Sequence, residues 1–177
     1  FLVVRENMKV RRFTRYEGIV SSYVHAGGKI GVLAKFDTAP EIAATEDFKV
    51  MAKDVCMQIA AVNPTYLDQA DVSAEALDHE KSILIAQMKE DPKMAGKPEA
   101  VLEKIVSGKM GKFFKENCLL EQEFVKDGDM TVAQYIASVA KKLGGDIKVV
   151  EYVRYEKGEG IAKKEDDFAA EVASMVK

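Results

Sequence analysis

Lys9–Gly18 reads KVRRFTRYEG, and Lys148–Lys157 reads KVVEYVRYEK. Lys, Val, Arg, Tyr and Glu return in the same order and spacing, with Tyr152 standing where the first copy has Phe13. In an extended chain successive side chains fall on opposite faces. Val10, Thr14 and Tyr16 then share one side of the first copy, and Lys9, Phe13 and Arg15 the other. In the second copy Val149, Val153 and Tyr155 share a side. This period of two predicts a strand in each copy, so β-structure is expected at both ends of the chain.

Working inward from the first copy, IVSSYVHAGGKIGVLAKF (19–36) gives two β-rich runs joined by His25-Ala26-Gly27-Gly28. The glycine pair takes positive φ readily, which predicts a hairpin. Pro40 then opens a helix of roughly twenty residues, the span that its period of 3.6 supports. Phe48, Met51, Ala52, Val55, Ile59 and Val62 form its apolar stripe. Met57, Gln58 and Ala61 fall on the flank or the opposite side, which leaves Met57 as an apolar residue without an evident core. Asn63-Pro64 ends this helix, because proline disfavours a helical residue before it.

Two helices follow near 73–90 and 98–116, with Ser73 as N-cap of the first. Val101, Leu102, Ile105, Val106, Met110 and Phe113 form the stripe of the second. The short connector EDPKMAGKP between them predicts an antiparallel helical hairpin. CLLEQEFV (118–125) returns to strand character. Thr131 and Gln134 form a T-x-x-Q capping box for a helix with Val132, Ile136, Val139, Ala140 and Leu143 inward, closed by Gly144. After the second copy, 165–176 reads as a short helix with Phe168, Val172, Met175 and Val176 in one stripe. A helix so short is marginal alone, so it must dock on its own chain or on a partner.

The 177 residues are 47% hydrophobic and 31% charged, with a net charge of −3. That is enough apolar material for a core, and the slight acidity disfavours a nucleic-acid backbone as main partner. No run of apolar residues is long enough to span a membrane. Cys56 and Cys118 have no ligand-like spacing and read as reduced, buried thiols of a cytosolic protein. The opening FLVVRENMKV has no initiator Met and no signal-peptide core, so the chain reads as a fragment lacking an N-terminal portion.

Nothing in the sequence assembles covalent chemistry. His25 and His79 are the only histidines, placed in a hairpin loop and on a charged helix face, where ordinary surface roles suffice. No Ser-His-Asp set, nucleophile elbow or zinc-ligand spacing is visible. Gly27-Gly28-Lys29 lacks the spacing of a phosphate loop and precedes a strand, while Gly158-Glu159-Gly160 has no third glycine. Lys9, Arg11, Arg12 and Arg15 interleave with Phe13 and Tyr16 as in a single-stranded RNA platform, but alternation divides them between two faces. No catalytic residue, metal site or cofactor is expected.

The chain does resemble one family over nearly its whole length. Glu6-Asn7-Met8-Lys9-Val10-Arg11-Arg12, Tyr16-Glu17-Gly18, Tyr23-Val24-His25 and Ile30-Gly31-Val32 carry the resemblance at the start. Met57-Gln58-Ile59-Ala60-Ala61, Asn63-Pro64 and Asp71-Val72-Ser73 continue it, followed by Gly96-Lys97-Pro98, Gly108-Lys109-Met110 and Gln122-Glu123-Phe124-Val125. It closes with Gly158-Glu159-Gly160 and Asp167-Phe168-Ala169-Ala170-Glu171-Val172. These segments, in this order, resemble the elongation factor Ts family, guanine-nucleotide exchange factors for the translational GTPase elongation factor Tu.

The resemblance implies an α+β fold of two similar halves, each a small antiparallel sheet covered by helices, with a projecting antiparallel helical hairpin and a short C-terminal helix. The two copies of the opening strand would then correspond. Residues 1–36 would end the first half, 37–72 and 117–163 form the second, 73–116 form the arm, and 164–177 form a C-terminal module. Complete members also carry a small N-terminal helical domain and a Thr-Asp-Phe-Val motif that wedges beside the magnesium and phosphate region of the GTPase. Neither is in this chain; Asp167-Phe168 matches the C-terminal module instead.

Three contact regions with elongation factor Tu carry over. Met57, Gln58 and Ala61 match a stretch that touches the nucleotide domain; members often have histidine at the position of Gln58, which hydrogen-bonds but cannot become cationic. Phe124, Val125 and Lys126, with the hairpin His25, Gly27 and Gly28, match surfaces that grip the third domain. Phe168, Val172 and Met175 match a module lying against the nucleotide domain. The implied activity is binding of elongation factor Tu·GDP and promotion of GDP release, or binding alone, in a bacterial cytoplasm or an organelle matrix. A homodimer through the arm is left open, and an RNA-associated translation protein is the remaining alternative.

Overall fold

The computed structural model describes residues 10–90, 97 and 99–161. The expected C-terminal helix, with Phe168, Val172 and Met175, lies outside the described residues, as does most of the connector of the helical hairpin. The fold is α+β. Strands β1 (Ile19–His25) and β2 (Ile30–Thr38) form the expected hairpin, with Ala26, Gly27 and Gly28 all at positive φ in its turn. Strand β5 (Ile147–Glu156) pairs antiparallel with the other edge of β2, giving the order β1-β2-β5. A second sheet is only the short pair β3 (Glu123–Phe124) and β4 (Asp127–Thr131). Strand β2 runs across position 36, so residues on both sides of that expected domain boundary share one sheet.

The helix expected from Pro40 is two helices, α1 (Pro40–Ala43) and α2 (Glu46–Val62). Thr45 makes the break: its hydroxyl donates to the Ile42 carbonyl at 2.7 Å and accepts from the Phe48 amide at 3.2 Å, capping α2. Asn63, in the left-handed region at φ 52°, ends α2 as expected. Val62, the last residue of α2, is 42% exposed, so the buried stripe of the helix ends at Ile59. Val32, Ala34 and Phe36 of β2 point inward onto Met51, Val55 and Ile59 of α2 to make the main core. Helix α5 (Val132–Leu143) adds Val132 and Ile136 to it. Both halves of the Thr131–Gln134 capping box form, and Gly144 at φ 75° closes the helix.

Helices α3 (Ala74–Glu90) and α4 (Glu99–Asn117) form the expected hairpin around their own small core of Met88, Val106 and Met110. The Ser73 hydroxyl accepts from the Ala76 amide at 3.2 Å, as an N-cap does.

Three expectations about strands need correction. Residues 10–17 form no strand: the sheet ends at β1 and β5, and this segment pairs with neither edge. The segment touches β5 by side chains instead: the Thr14 and Tyr155 hydroxyls lie 2.6 Å apart, and the Arg12 guanidinium sits 4.5 Å from the Tyr155 ring centre. In β5, the pairing shifts between Lys35 and Phe36, which leaves Val150 without a partner as a bulge. An extra residue reverses the faces beyond it. Val149 is therefore buried, but Tyr152 and Arg154 face Ala34 and Val32 on the inner side, and Val153 and Tyr155 do not share the face of Val149. Finally, CLLEQEFV is mostly a 3-10 turn at Leu119–Glu121, with Leu119 buried, and only Glu123–Phe124 is strand.

Candidate functional site

Helix α2 is covered by the main sheet on one side and by α5 with the β3–β4 pair on the other. Its outward ridge is narrow and carries Val50, Lys53, Met57 and Ala61, with Val50 exposed. Beside this ridge lies a depression of about 390 Å³. Met57, Ala60 and Ala61 come from α2, Tyr23 and His25 from the end of β1, and Ile30 from the start of β2. Val125 and Lys126, the turn between β3 and β4, make the opposite wall, and Arg154 closes it from β5. The floor is apolar, while cationic and hydrogen-bonding groups stand around it. A larger groove of about 520 Å³ follows the arm, but it is the seam between α3 and α4 and includes their core residues Val106 and Met110.

Each polar residue of the rim has at least one partner. The Lys126 ammonium donates to Asp54 Oδ1 at 2.7 Å, and the Tyr135 hydroxyl donates to Asp54 Oδ2 at 3.0 Å. Burial, then the hydrogen bond to Asp54 and its charge, push the Tyr135 hydroxyl up to about 12. His25 Nδ1 and the Tyr23 hydroxyl lie 3.0 Å apart. Arg154 is paired with Glu156 at 2.8 Å; its Nε is buried and has no hydrogen-bond partner among the described residues.

Five of the residues singled out in the sequence converge here: His25, Met57, Ala61, Val125 and Lys126. Val125 is 50% exposed, so it presents an apolar surface at the mouth. Gly27 and Gly28 lie in the β1–β2 turn and do not line the depression. Two others are internal. Phe124 is only 4% exposed and stacks on Tyr135, with ring centres 4.2 Å apart and planes 13° from parallel. Gln58 is fully buried, not on an exposed flank. Sequence reasoning passed over Asp54, Tyr23 and Arg154. Asp54 carried a signal, since a carboxylate one turn from Gln58 on a largely apolar helix is costly unless paired. Arg154 carried none, because its inward direction depends on the bulge.

Residues 1–159 match the family model described as Elongation factor TS. The chain belongs to the elongation factor Ts family. It is 47% identical over 174 residues to the elongation factor Ts of Clostridium kluyveri, covering 97% of this chain and 55% of that protein. The Clostridium perfringens elongation factor Ts is 47% identical over 175 residues, with the same coverage of 97% and 55%. That of Desulforamulus reducens is 49% identical over 162 residues, covering 91% of this chain and 73% of the relative. The chain spans about half the length of the Clostridium elongation factor Ts proteins.

Among the described residues no helix is long and apolar enough to cross a membrane. The matched region includes the depression and the α3–α4 hairpin, since both lie within residues 1–159.

Proposed function

We propose that this chain binds elongation factor Tu·GDP and promotes release of GDP, acting as a guanine-nucleotide exchange factor in translation elongation. The observation that carries the reading is convergence. His25, Met57, Ala61, Val125 and Lys126 come from distant parts of the sequence and line one depression with an apolar floor and a polar rim. Such a surface suits docking of a folded partner, with apolar burial at the centre and hydrogen bonds around it. Membership of the elongation factor Ts family supports this choice of partner and activity.

An exchange factor performs no covalent step. It binds a nucleotide-depleted or distorted form of the GTPase better than the GDP form. By linkage it lowers GDP affinity by the same factor that GDP lowers its own. A thousandfold faster release corresponds to about 4 kcal/mol off the dissociation barrier. In this reading residues 73–116 are the family's projecting arm, 164–177 are its C-terminal module, and the protein works in a bacterial cytoplasm.

The test is stopped-flow release of a fluorescent GDP analogue from elongation factor Tu, with excess unlabelled GDP and increasing chain. Release that accelerates and saturates is the expected result. Unchanged release at saturating chain overturns the exchange activity. Absence of a complex by calorimetry overturns the docking reading as well.

A further inference from the structure

The β3–β4 pair is too short to fix its own turn. Strand β3 has two residues and its register shifts between Glu123 and Phe124, so few ladder hydrogen bonds hold Val125 and Lys126 in place. A two-stranded hairpin is marginal even at greater length. Helix α2 supplies the missing bonds. Gln58 Oε1 accepts from the Val125 amide at 2.9 Å, while its Nε2 donates to the Glu123 carbonyl at 3.1 Å and to Gln122 Oε1 at 3.2 Å. Gln122 is itself anchored, donating to the Glu116 carbonyl at the end of α4 at 2.9 Å. One turn earlier on α2, Asp54 takes the Lys126 ammonium.

We propose that Gln58 is a positioning residue: it sets how the Val125–Lys126 turn is presented to the partner and does not itself touch the partner, with Asp54 as the second anchor. The proposal rests on the reading of the depression as the docking face. The side chain's chemistry fits this role closely. The turn offers an amide N–H and a carbonyl two residues apart, and a primary amide carries both an acceptor and donors for them. A carboxylate offers only acceptors, and a thioether forms neither strong bond. Phe124, between these two anchor points, turns inward onto Tyr135, which leaves Val125 on the outside. Gln58 therefore acts across a distance of one residue, through Val125.

A double-mutant cycle on the full chain tests this, with affinity for elongation factor Tu·GDP measured by calorimetry for Gln58→Met, Val125→Ala and the pair. Unfolding in urea fixes a temperature at which each variant remains folded. Gln58→Met is expected to weaken binding about tenfold, and the double variant to be no more than about twofold weaker than the weaker single one. Thr45→Ala, which removes the cap at the end of α2 away from Met57, is the control for lost stability and is expected to bind as the parent does. Fold-losses that multiply in the double variant mean that Gln58 contacts the partner directly, and overturn the proposal. An equal loss in Thr45→Ala reduces Gln58 to a general stability role and overturns it too. If Val125→Ala and Lys126→Ala both bind like the parent chain, the docking face itself is wrong, whatever Gln58 does. Should Gln58→Met not fold, hydrogen exchange in the parent chain decides: the Val125 amide is expected to be protected, and rapid exchange there overturns the proposal.

Discussion

Replacing Phe124 by alanine separates the interior of the β3–β4 turn from its surface. The side chain is 4% exposed and stacks on Tyr135. A buried phenylalanine removes about 150–250 Å² from water, which at about 25 cal/mol per Å² amounts to roughly 4–6 kcal/mol. Truncations of this kind cost about 3–5 kcal/mol once partial collapse of the cavity is allowed. An aromatic pair adds about 0.5–1.5 kcal/mol beyond its area. We therefore expect Phe124→Ala to lose about 4 kcal/mol. With a urea slope of about 2 kcal/mol per M, the unfolding midpoint moves down by about 2 M. Val125→Ala removes a side chain that is 50% exposed, so its midpoint moves by less than about 0.5 M. Chemical unfolding followed by far-ultraviolet circular dichroism measures both. A Phe124→Ala midpoint within about 0.3 M of the parent chain refutes the assignment of Phe124 to the core. A shift for Val125→Ala as large as that for Phe124→Ala refutes the assignment of Val125 to the surface.

Other measurements probe the arm, the capping and the alkaline limit. Gly108 and Gly111 lie within α4 with nothing within 4 Å of an added Cβ. Alanine at either position should stabilise the arm by about 0.5–1 kcal/mol, seen as slower amide exchange across α4. Thr131→Ala removes half of a reciprocal capping box and should cost about 1 kcal/mol in urea unfolding. Burial holds the Cys56 and Cys118 thiols at about 11, above the ordinary 9.0, and the Tyr135 and Tyr152 hydroxyls at about 12, above 10.0. The folded chain thus keeps protons that the unfolded chain releases. Stability from these groups is intact below pH 9 and falls as pH rises through 9–12, which melting temperatures across that range will show. At pH 8 a disulfide exchange reagent should label either cysteine only as fast as the chain opens.

Much of the fold was legible where a local pattern and its tertiary surroundings agree. The Gly27-Gly28 turn, the Asn63 stop, the Thr131–Gln134 box and the Gly144 cap each follow from residue chemistry within a few positions. The misreadings arise where packing overrides an equally good local signal. KVRRFTRYEG alternates as well as KVVEYVRYEK does, but only the second finds a ladder partner in β2. The two copies meet through side chains, at Thr14, Arg12 and Tyr155. Alternation cannot reveal the bulge at Val150, and without it the inward turn of Arg154 is invisible.

The candidate site was legible for the same reason, and to the same extent. Met57 and Ala61 are apolar residues opposite the core stripe of α2, and that mismatch marked them as surface. Gln58 sits beside them in sequence but is buried, because α2 is packed on two sides rather than one. A helical wheel drawn for one buried face assigns such a residue to the flank. Phe124 and Val125 are successive residues that point in opposite directions, so a family resemblance spanning both cannot say which one faces out.

The central claim is that the depression beside α2 is the face presented to elongation factor Tu. Its most direct test is a methyl spectrum of the chain, labelled at methionine and valine, titrated with elongation factor Tu·GDP. The account predicts that Met57 and Val125 shift or broaden first, while Met88, buried between the arm helices, and Met51, in the main core, stay in place. Perturbation confined to other methyl groups, with Met57 and Val125 unmoved at saturation, would contradict it.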